Sequence, residues 1–245
     1  MGPEGDPGDR RCTHAQYALS WIRDAIVDGA LEEGQELSQV QLSREIGVSR
    51  TPLREAIRGL EAEGWLASEP NGGVRVARVS LGELEQLYAM RVTLESLALT
   101  LATPRLTSAE LETAGEVLDQ ADDALQRSDY GEWERLNQDF HSVLLAPAGH
   151  AIVQNCRALI AACFRYRKVY VLARPAAFVQ AETDHRTILQ SCELRDAPGA
   201  ALALARHLAR TALTLLAAAD PLYDPVGIRA AMAMVPSRPS AELGV

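Results

Sequence analysis

The stretch that most limits what this chain can fold into is Ser38 to Glu63, SQVQLSREIGVSRTPLREAIRGLEAE. Its apolar residues fall into two short helical sets divided by a glycine. Leu42, Ile46 and Val48 give a first helix one apolar face, and Leu53, Ile57 and Leu60, at i, i+4 and i+7, give a second helix its own. Gly47 stands between them, where a tight corner needs a positive φ that only glycine reaches cheaply. Ser49 is placed to cap the second helix through its hydroxyl. Pro52 is tolerated in the first turn, where no intrahelical N–H bond is lost. The other side of that helix carries Arg50, Arg54 and Arg58. Three guanidinium groups on a stripe that begins at a helix N-terminus suit phosphates and guanine edges. A bare arginine stripe can also do no more than solvate a helix, so the flanking sequence has to decide.

Upstream, Ala18, Trp21, Ile22, Ala25 and Ile26 recur at helical spacing from Thr13, predicting a helix that stops near Gly29, with Trp21 in its core. Glu33-Gly34 is a corner before the next helix. Downstream, Gly64 ends the arginine-bearing helix and Trp65-Leu66 begins a strand. Pro70-Asn71-Gly72-Gly73 is a hairpin turn, and Val74-Arg75-Val76 is the returning strand. The run GVSRTPLREAI followed by LEAEGWL, flanked from Tyr17 through Ile26-Val27-Asp28-Gly29-Ala30-Leu31 to the wing Asn71-Gly72-Gly73-Val74, resembles the winged helix-turn-helix of the GntR-type regulators. In that reading the second helix enters the major groove, where its N-terminal side chains meet base edges. Arg50 and Arg54 then read bases, Ser49 and Thr51 bind phosphate, and Arg58 reaches the backbone. Arg44 and the wing residues Asn71, Gly72 and Gly73 supply further contacts. In FadR-type relatives an additional arginine often lies ten residues before the one matching Arg50, and here that position is Val40, so the resemblance carries over no operator sequence.

Charge agrees with a localised DNA surface. The formal net charge is −9, which excludes a generally polycationic protein. From Ser43 to Arg58, however, Arg44, Arg50, Arg54 and Arg58 outnumber Glu45 and Glu55. No run approaches the ~20 apolar residues that span a bilayer. Residues 1–11, rich in Gly, Pro and Asp, read as a flexible tail without an apolar signal segment. Cys12, Cys156, Cys163 and Cys192 are widely spaced without a CxxC pair, as expected of reduced thiols in a cytoplasmic protein that meets no membrane.

Residues 12–79 therefore form a winged helix-turn-helix domain with a small β-hairpin wing. Ala77 to Leu81 is the boundary, with Ser80 as a helix cap. Residues 80–220 form an all-α bundle and 221–245 a tail. Leu84, Leu87, Met90, Leu94 and Leu97 make the first stripe of the bundle. Breaks at Thr103-Pro104, Ser128-Asp129, Pro147-Ala148-Gly149, Arg174-Pro175 and Ala197-Pro198-Gly199 divide it into about six helices, 80–102, 107–127, 129–146, 150–172, 175–193 and 196–219. The fold class is mainly α.

Asn137 and His141 lie one turn apart on one helix face, and His185 and His207 interrupt the two last helices. Singly, each histidine reads as an ordinary core or surface residue. The set Asn137-x-x-Phe140-His141, Asp184-His185-Arg186-x-Ile188-Leu189 and Ala205-Arg206-His207-Leu208, with Arg91-Val92-Thr93-Leu94-Glu95, resembles the FCD ligand-binding domain of the FadR branch. In many members of that branch an aspartate and three histidines hold a divalent metal, and a carboxylate effector completes its coordination. By position the ligands here are His141, His185 and His207, with Asn137 where the aspartate stands. Three imidazoles suit zinc, or nickel. The neutral amide leaves the site one charge more positive, which weakens metal retention and strengthens attraction for an anion. The alternative is a metal-free pocket in which the histidines and Arg91 bind the effector directly. Arg91 is the natural carboxylate clamp, with Glu95 one turn on and with Arg165, Tyr166 and Tyr170 as further lining. His14, His150 and Asp139 have no place in this set.

The resemblance thus implies a homodimeric transcriptional repressor that binds double-stranded palindromic operator DNA under the control of a small carboxylate effector. A metal-dependent enzyme built on the three histidines is the alternative, and a non-specific architectural DNA protein a third. An enzyme has no need of the recognition unit, and the architectural reading fits poorly with an acidic chain carrying one compact basic stripe.

Overall fold

The computed structural model describes residues 13–27, 29–69, 73–78, 80–171 and 175–235, excepting the side chains of residues 27, 164, 165, 167–171 and 175–178. It divides into two compact units, one ending at Ser80 and the other beginning at Leu81.

In the first unit, helix α1 (His14–Val27) packs on α3 (Arg50–Ala62) through Ala18, Ile22 and Ala25. Trp21 is only half-buried, whereas Trp65 is in the core. Helix α2 (Gln39–Ile46) is capped by Ser38, whose side chain accepts from the Gln41 N–H. It ends at Gly47, whose φ of 76° turns the chain while its N–H bonds the Ser43 carbonyl. The Ser43 hydroxyl donates to the Val48 carbonyl at 2.6 Å, which ties the corner from inside. Ser49 occupies the N-cap position of α3, but its hydroxyl makes no capping bond. The cap expected from the sequence is therefore positional only.

Strands β1 (Glu36–Leu37), β2 (Leu66–Ser68) and β3 (Val74–Val76) form an antiparallel sheet in the order β1-β3-β2. The expected hairpin is present, with Leu66 opposite Val76 and Ser68 opposite Val74. Strand β1 is an addition, two residues being too few to show alternation in a sequence. Arg75 fastens it: its guanidinium pairs with Glu36 and Glu69, each at 2.6 Å, and donates to the Gly34 carbonyl.

The second unit is a bundle of α4 (Leu81–Ala102), α5 (Ser108–Gln126), α6 (Tyr130–Leu145), α7 (His150–Val171), α8 (Pro175–Glu193), α9 (Ala197–Ala219) and α10 (Val226–Met234). Helix α4 is central, packed on α9, α10, α7 and α6, while α5 lies on α6 and α8. The turns that separate the helices are chemically marked. Thr107 and Glu110 form a capping box on α5, and Asp129 and Asp196 cap α6 and α9.

Three expectations change. The stripe proposed for α4 is not its inner face. Leu84 is buried, but Met90 and Leu97 are about half exposed, at 48% and 49%, and the interior takes Tyr88, Arg91, Val92, Glu95 and Leu99. Periodicity misleads here because α4 is apolar on both sides and turns a charged pair inward. The stretch after Asp220 is not all tail: α10 buries Ile228 and Ala231, and Glu85 of α4 accepts from the Gly227 and Ile228 N–H groups and from the Tyr223 hydroxyl. Finally, α9 is by length and composition apolar enough to cross a membrane. It nevertheless carries Arg206, His207 and Arg210, and its largely buried face, from Ala200 to Leu216, serves as a core helix of the bundle.

Candidate functional site

The first unit presents a basic helix face. Burial of Leu53, Ala56, Ile57 and Leu60 turns the opposite side of α3 outward, so Arg50, Thr51, Arg54 and Arg58 are exposed, as are Ser49 before the helix and Arg44 on α2. None of these four arginines forms an ion pair with a described residue. Gly73 borders the wing turn and accepts, through its carbonyl, from the Glu69 N–H. Asn71 and Gly72 lie outside the described residues. Arg75, on the wing strand β3, is spent on the sheet.

In the second unit, α6, α8 and α9 bring His141, His185 and His207 together. Their candidate ligand atoms lie within 4.8 Å of one another, and all three side chains are buried. Ring centroids are 5.4 Å apart for His141 and His185, 5.6 Å for His141 and His207, and 4.6 Å for His185 and His207. Phe140 packs on His185 at 4.8 Å. Asn137, one turn before His141, is buried, and neither its Oδ1 nor its Nδ2 has a hydrogen-bond partner. Both ring nitrogens of His185 are in the same condition. Buried polar groups left unmade cost about 1–3 kcal/mol each. A cation bound by imidazole nitrogens and an amide oxygen removes that cost, so this donor set fits a divalent metal.

Each histidine has a carboxylate behind it. His141 Nδ1 is 3.7 Å from Glu95 Oε2, His185 Nδ1 is 3.6 Å from Glu182 Oε1, and His207 Nδ1 is 3.4 Å from Asp184 Oδ2. Each carboxylate is anchored in turn. Arg91 Nε donates to Glu95 Oε1 at 2.6 Å, the Trp133 indole N–H donates to Glu182 Oε1 at 2.7 Å, and Arg210 pairs with Asp184. Burial alone would raise the Asp184 carboxyl, but hydrogen bonds from His207, Arg210 and Gln180 outweigh it and hold it at about 2. Burial likewise opposes the Arg91 charge, and Glu95 more than compensates, so the guanidinium stays charged. Burial pushes the Cys156 and Cys192 thiols up, to about 12 and about 11, which leaves them inert as nucleophiles.

Of the residues expected to hold an effector, Arg91 and Glu95 are paired with each other in the interior. Tyr166 is buried and donates a 2.9 Å hydrogen bond to Glu83 at the start of α4. The side chains of Arg165 and Tyr170 are outside the described set. Asp139 pairs with Arg135, away from the cluster. Sequence reasoning missed Glu182 and gave Asp184 no role of its own. The spacing Glu182-x-x-His185 was a visible signal, being one helical turn. The pairing of Asp184 with a histidine on another helix had none.

Comparison with known proteins places both units. Residues 17–76 match the gntR family of bacterial regulatory proteins, and residues 86–210 match the FCD domain. The chain belongs to the GntR family. Its members are DNA-binding transcriptional regulators, not enzymes. The chain is 30% identical over 125 residues to an uncharacterized HTH-type transcriptional regulator, YdhC, of Bacillus subtilis, a match that covers 51% of this chain and 56% of YdhC. It is 27% identical over 202 residues to the HTH-type transcriptional repressor GlaR of Escherichia coli, covering 77% of this chain and 89% of GlaR. Among solved structures, E. coli McbR/YncC shares the fold with a TM-score of 0.65 at 21% identity, over 83% of this chain and 97% of that one. The GntR match runs from within α1 to the end of β3, and the FCD match holds Asn137 and all three histidines. Helix α10 lies beyond both matches.

Proposed function

We propose that this GntR-family chain is a cytoplasmic repressor that binds a palindromic operator as a homodimer and answers to a small carboxylate effector held in the FCD bundle with a divalent metal. The observation that carries the DNA reading is the exposed, unpaired stripe of Arg50, Arg54 and Arg58 at the start of α3. Arg50 and Arg54 read guanine edges, Ser49 and Thr51 hold phosphates, and Arg58, Arg44 and the wing (Asn71, Gly72, Gly73) follow the backbone.

His141, His185, His207 and Asn137 hold the metal, zinc by preference and nickel as the other fit. The metal supplies a Lewis-acidic point with room for an effector oxygen. Arg91, whose Nε is given to Glu95, offers its Nη pair to the effector carboxylate, and Tyr166 completes the lining. Helix α4 begins directly after the linker and carries Arg91 and Glu95. It is the element through which effector binding reaches the reading head. Only a ligand with different affinity for two arrangements of the dimer shifts them.

A second copy of this chain covers the outer face of α4. An apolar face of this kind is ordinarily covered, yet Met90, Leu97 and Leu101 remain partly exposed beside an apolar groove of about 1100 Å³ lined by α4, α7 and α10. Two-fold pairing there gives the operator two recognition helices.

The test is selection of bound duplexes from a random pool. A palindromic consensus is expected for the wild type. Arg50→Ala should lose preference at its base pair, about 1–3 kcal/mol, and remain dimeric. Unchanged preference would remove Arg50 as a reading residue.

A further inference from the structure

The three carboxylates behind the histidines are not equivalent. Glu95 and Asp184 each have a guanidinium anchor, Arg91 and Arg210. Glu182 is anchored by the neutral Trp133 indole, and among the described residues no cation faces it except the His185 ring, should that ring be protonated. It is 7% exposed, and its Oε2, like that of Glu95, has no hydrogen-bond partner, so the missing guanidinium is what sets it apart. A carboxylate in that condition carries the largest cost of the three, since buried charges are ordinarily paired or set around a metal. The site has the complementary deficit. Its oxygen position is filled by Asn137, a neutral amide whose polar atoms are unpartnered, so four neutral ligands would face a dication.

We propose that Glu182 is this chain's substitute for the missing ligand carboxylate: the negative charge is moved from position 137 to a place behind His185, where it neutralises a bound dication without touching it. The inference rests on the reading of the histidine cluster as a metal centre. Glu182 acts by position. Its Oε1, fixed by Trp133, faces His185 Nδ1 and orients the ring so that Nε2 is the nitrogen turned to the metal. Glu95 and Asp184 orient His141 and His207 in the same way but add no net charge, because each is cancelled by its arginine. The arrangement leaves the oxygen ligand weak and exchangeable while keeping the charge that retains the ion. An effector carboxylate can then compete with an amide rather than with an anion.

Cobalt(II) is the probe, its affinity measured by competition with a chelator on the full chain, its coordination by visible absorption and the fold by melting. Glu182→Gln keeps an acceptor for Trp133 and removes only the charge. It is expected to weaken cobalt binding by about 10–100-fold, the range for loss of such an outer partner, with the band shape of the wild type. Adding Asn137→Asp to that variant should restore the affinity, and Asn137→Asp alone should tighten binding at least about tenfold. Rescue that exceeds the gain from Asn137→Asp alone separates charge relocation from structural support, whose loss would simply add to that gain.

Equal affinity of E182Q and wild type overturns the proposal, as does a weakened E182Q that N137D fails to rescue. A changed band shape in E182Q would make Glu182 a ligand and also overturn it. If E182Q does not fold, Glu182→Met takes its place in the same cycle and is read in the same way. Wild-type protein that takes up no cobalt would overturn the metal reading as well, and so marks that failure apart from this one.

Discussion

His185 shows how much depends on one side chain. It is fully buried, packed at a tilt on Phe140, central to the two shorter ring distances, and without a hydrogen bond at either nitrogen. His185→Ala is expected to lower metal retention by at least about a hundredfold, the upper end of what an outer-shell change costs, and to leave DNA affinity without effector unchanged. Elemental analysis of dialysed protein checks the first and a binding titration the second. A variant that keeps its full metal content would put the site elsewhere. The histidines and Asn137 were legible as a set because the FCD pattern spaces them along the chain. Glu182 was legible only in principle, one turn before His185, and Asp184 was not legible at all as a partner of His207. That contact joins α8 to α9, and no spacing within one helix encodes it.

Among the elements, α10 has the least support in sequence pattern and a specific anchor in space. The Glu85 carboxylate sits over its N-terminus and accepts from two backbone N–H groups that otherwise have no intrahelical partner. Gly227 permits this approach, since a Cβ there would stand 3.2 Å from Glu85 Oε1. Glu85→Ala should cost about 1 kcal/mol, typical of a lost N-cap, or a fall of about 2–4 °C in Tm for a chain of this size. Amide exchange of residues 226–234 should rise. Unchanged exchange would show that burial of Ile228 and Ala231 alone holds the helix. The remaining helices of the bundle lay close to where Pro, Gly and capping residues placed them, because those signals act on the local backbone. The inner face of α4 did not, because two apolar sides compete and only packing on α9 and α7 chooses between them.

For the whole molecule, the proposed operator recognition and effector response both rest on the proposed pairing of two copies. Leu97 is 49% exposed on the α4 face proposed to pair. Burying one leucine is worth about 1.5–3 kcal/mol. Leu97→Glu, present twice in a symmetric dimer, should therefore weaken association by about a thousandfold. Sedimentation velocity would show monomer, and operator affinity would fall with it, while the metal content of each chain stays the same. A variant that remains dimeric would move the interface off this face.

The sequence by itself determined the helix-turn-helix, the wing and the run of helices, and it marked the arginines and histidines by type and spacing. Those are properties of the local backbone and of one-turn neighbours, and a family pattern records them in order along the chain. Tertiary structure alone decided which side of α4 is interior, that α10 is anchored through Glu85, and that each histidine is backed by a separately anchored carboxylate. Apart from the one-turn pairs Glu182–His185 and Arg91–Glu95, these are contacts between residues far apart in sequence. They are settled by which packing buries the most apolar surface while leaving the fewest charges unpaired, and neither periodicity nor spacing along one helix can state that balance.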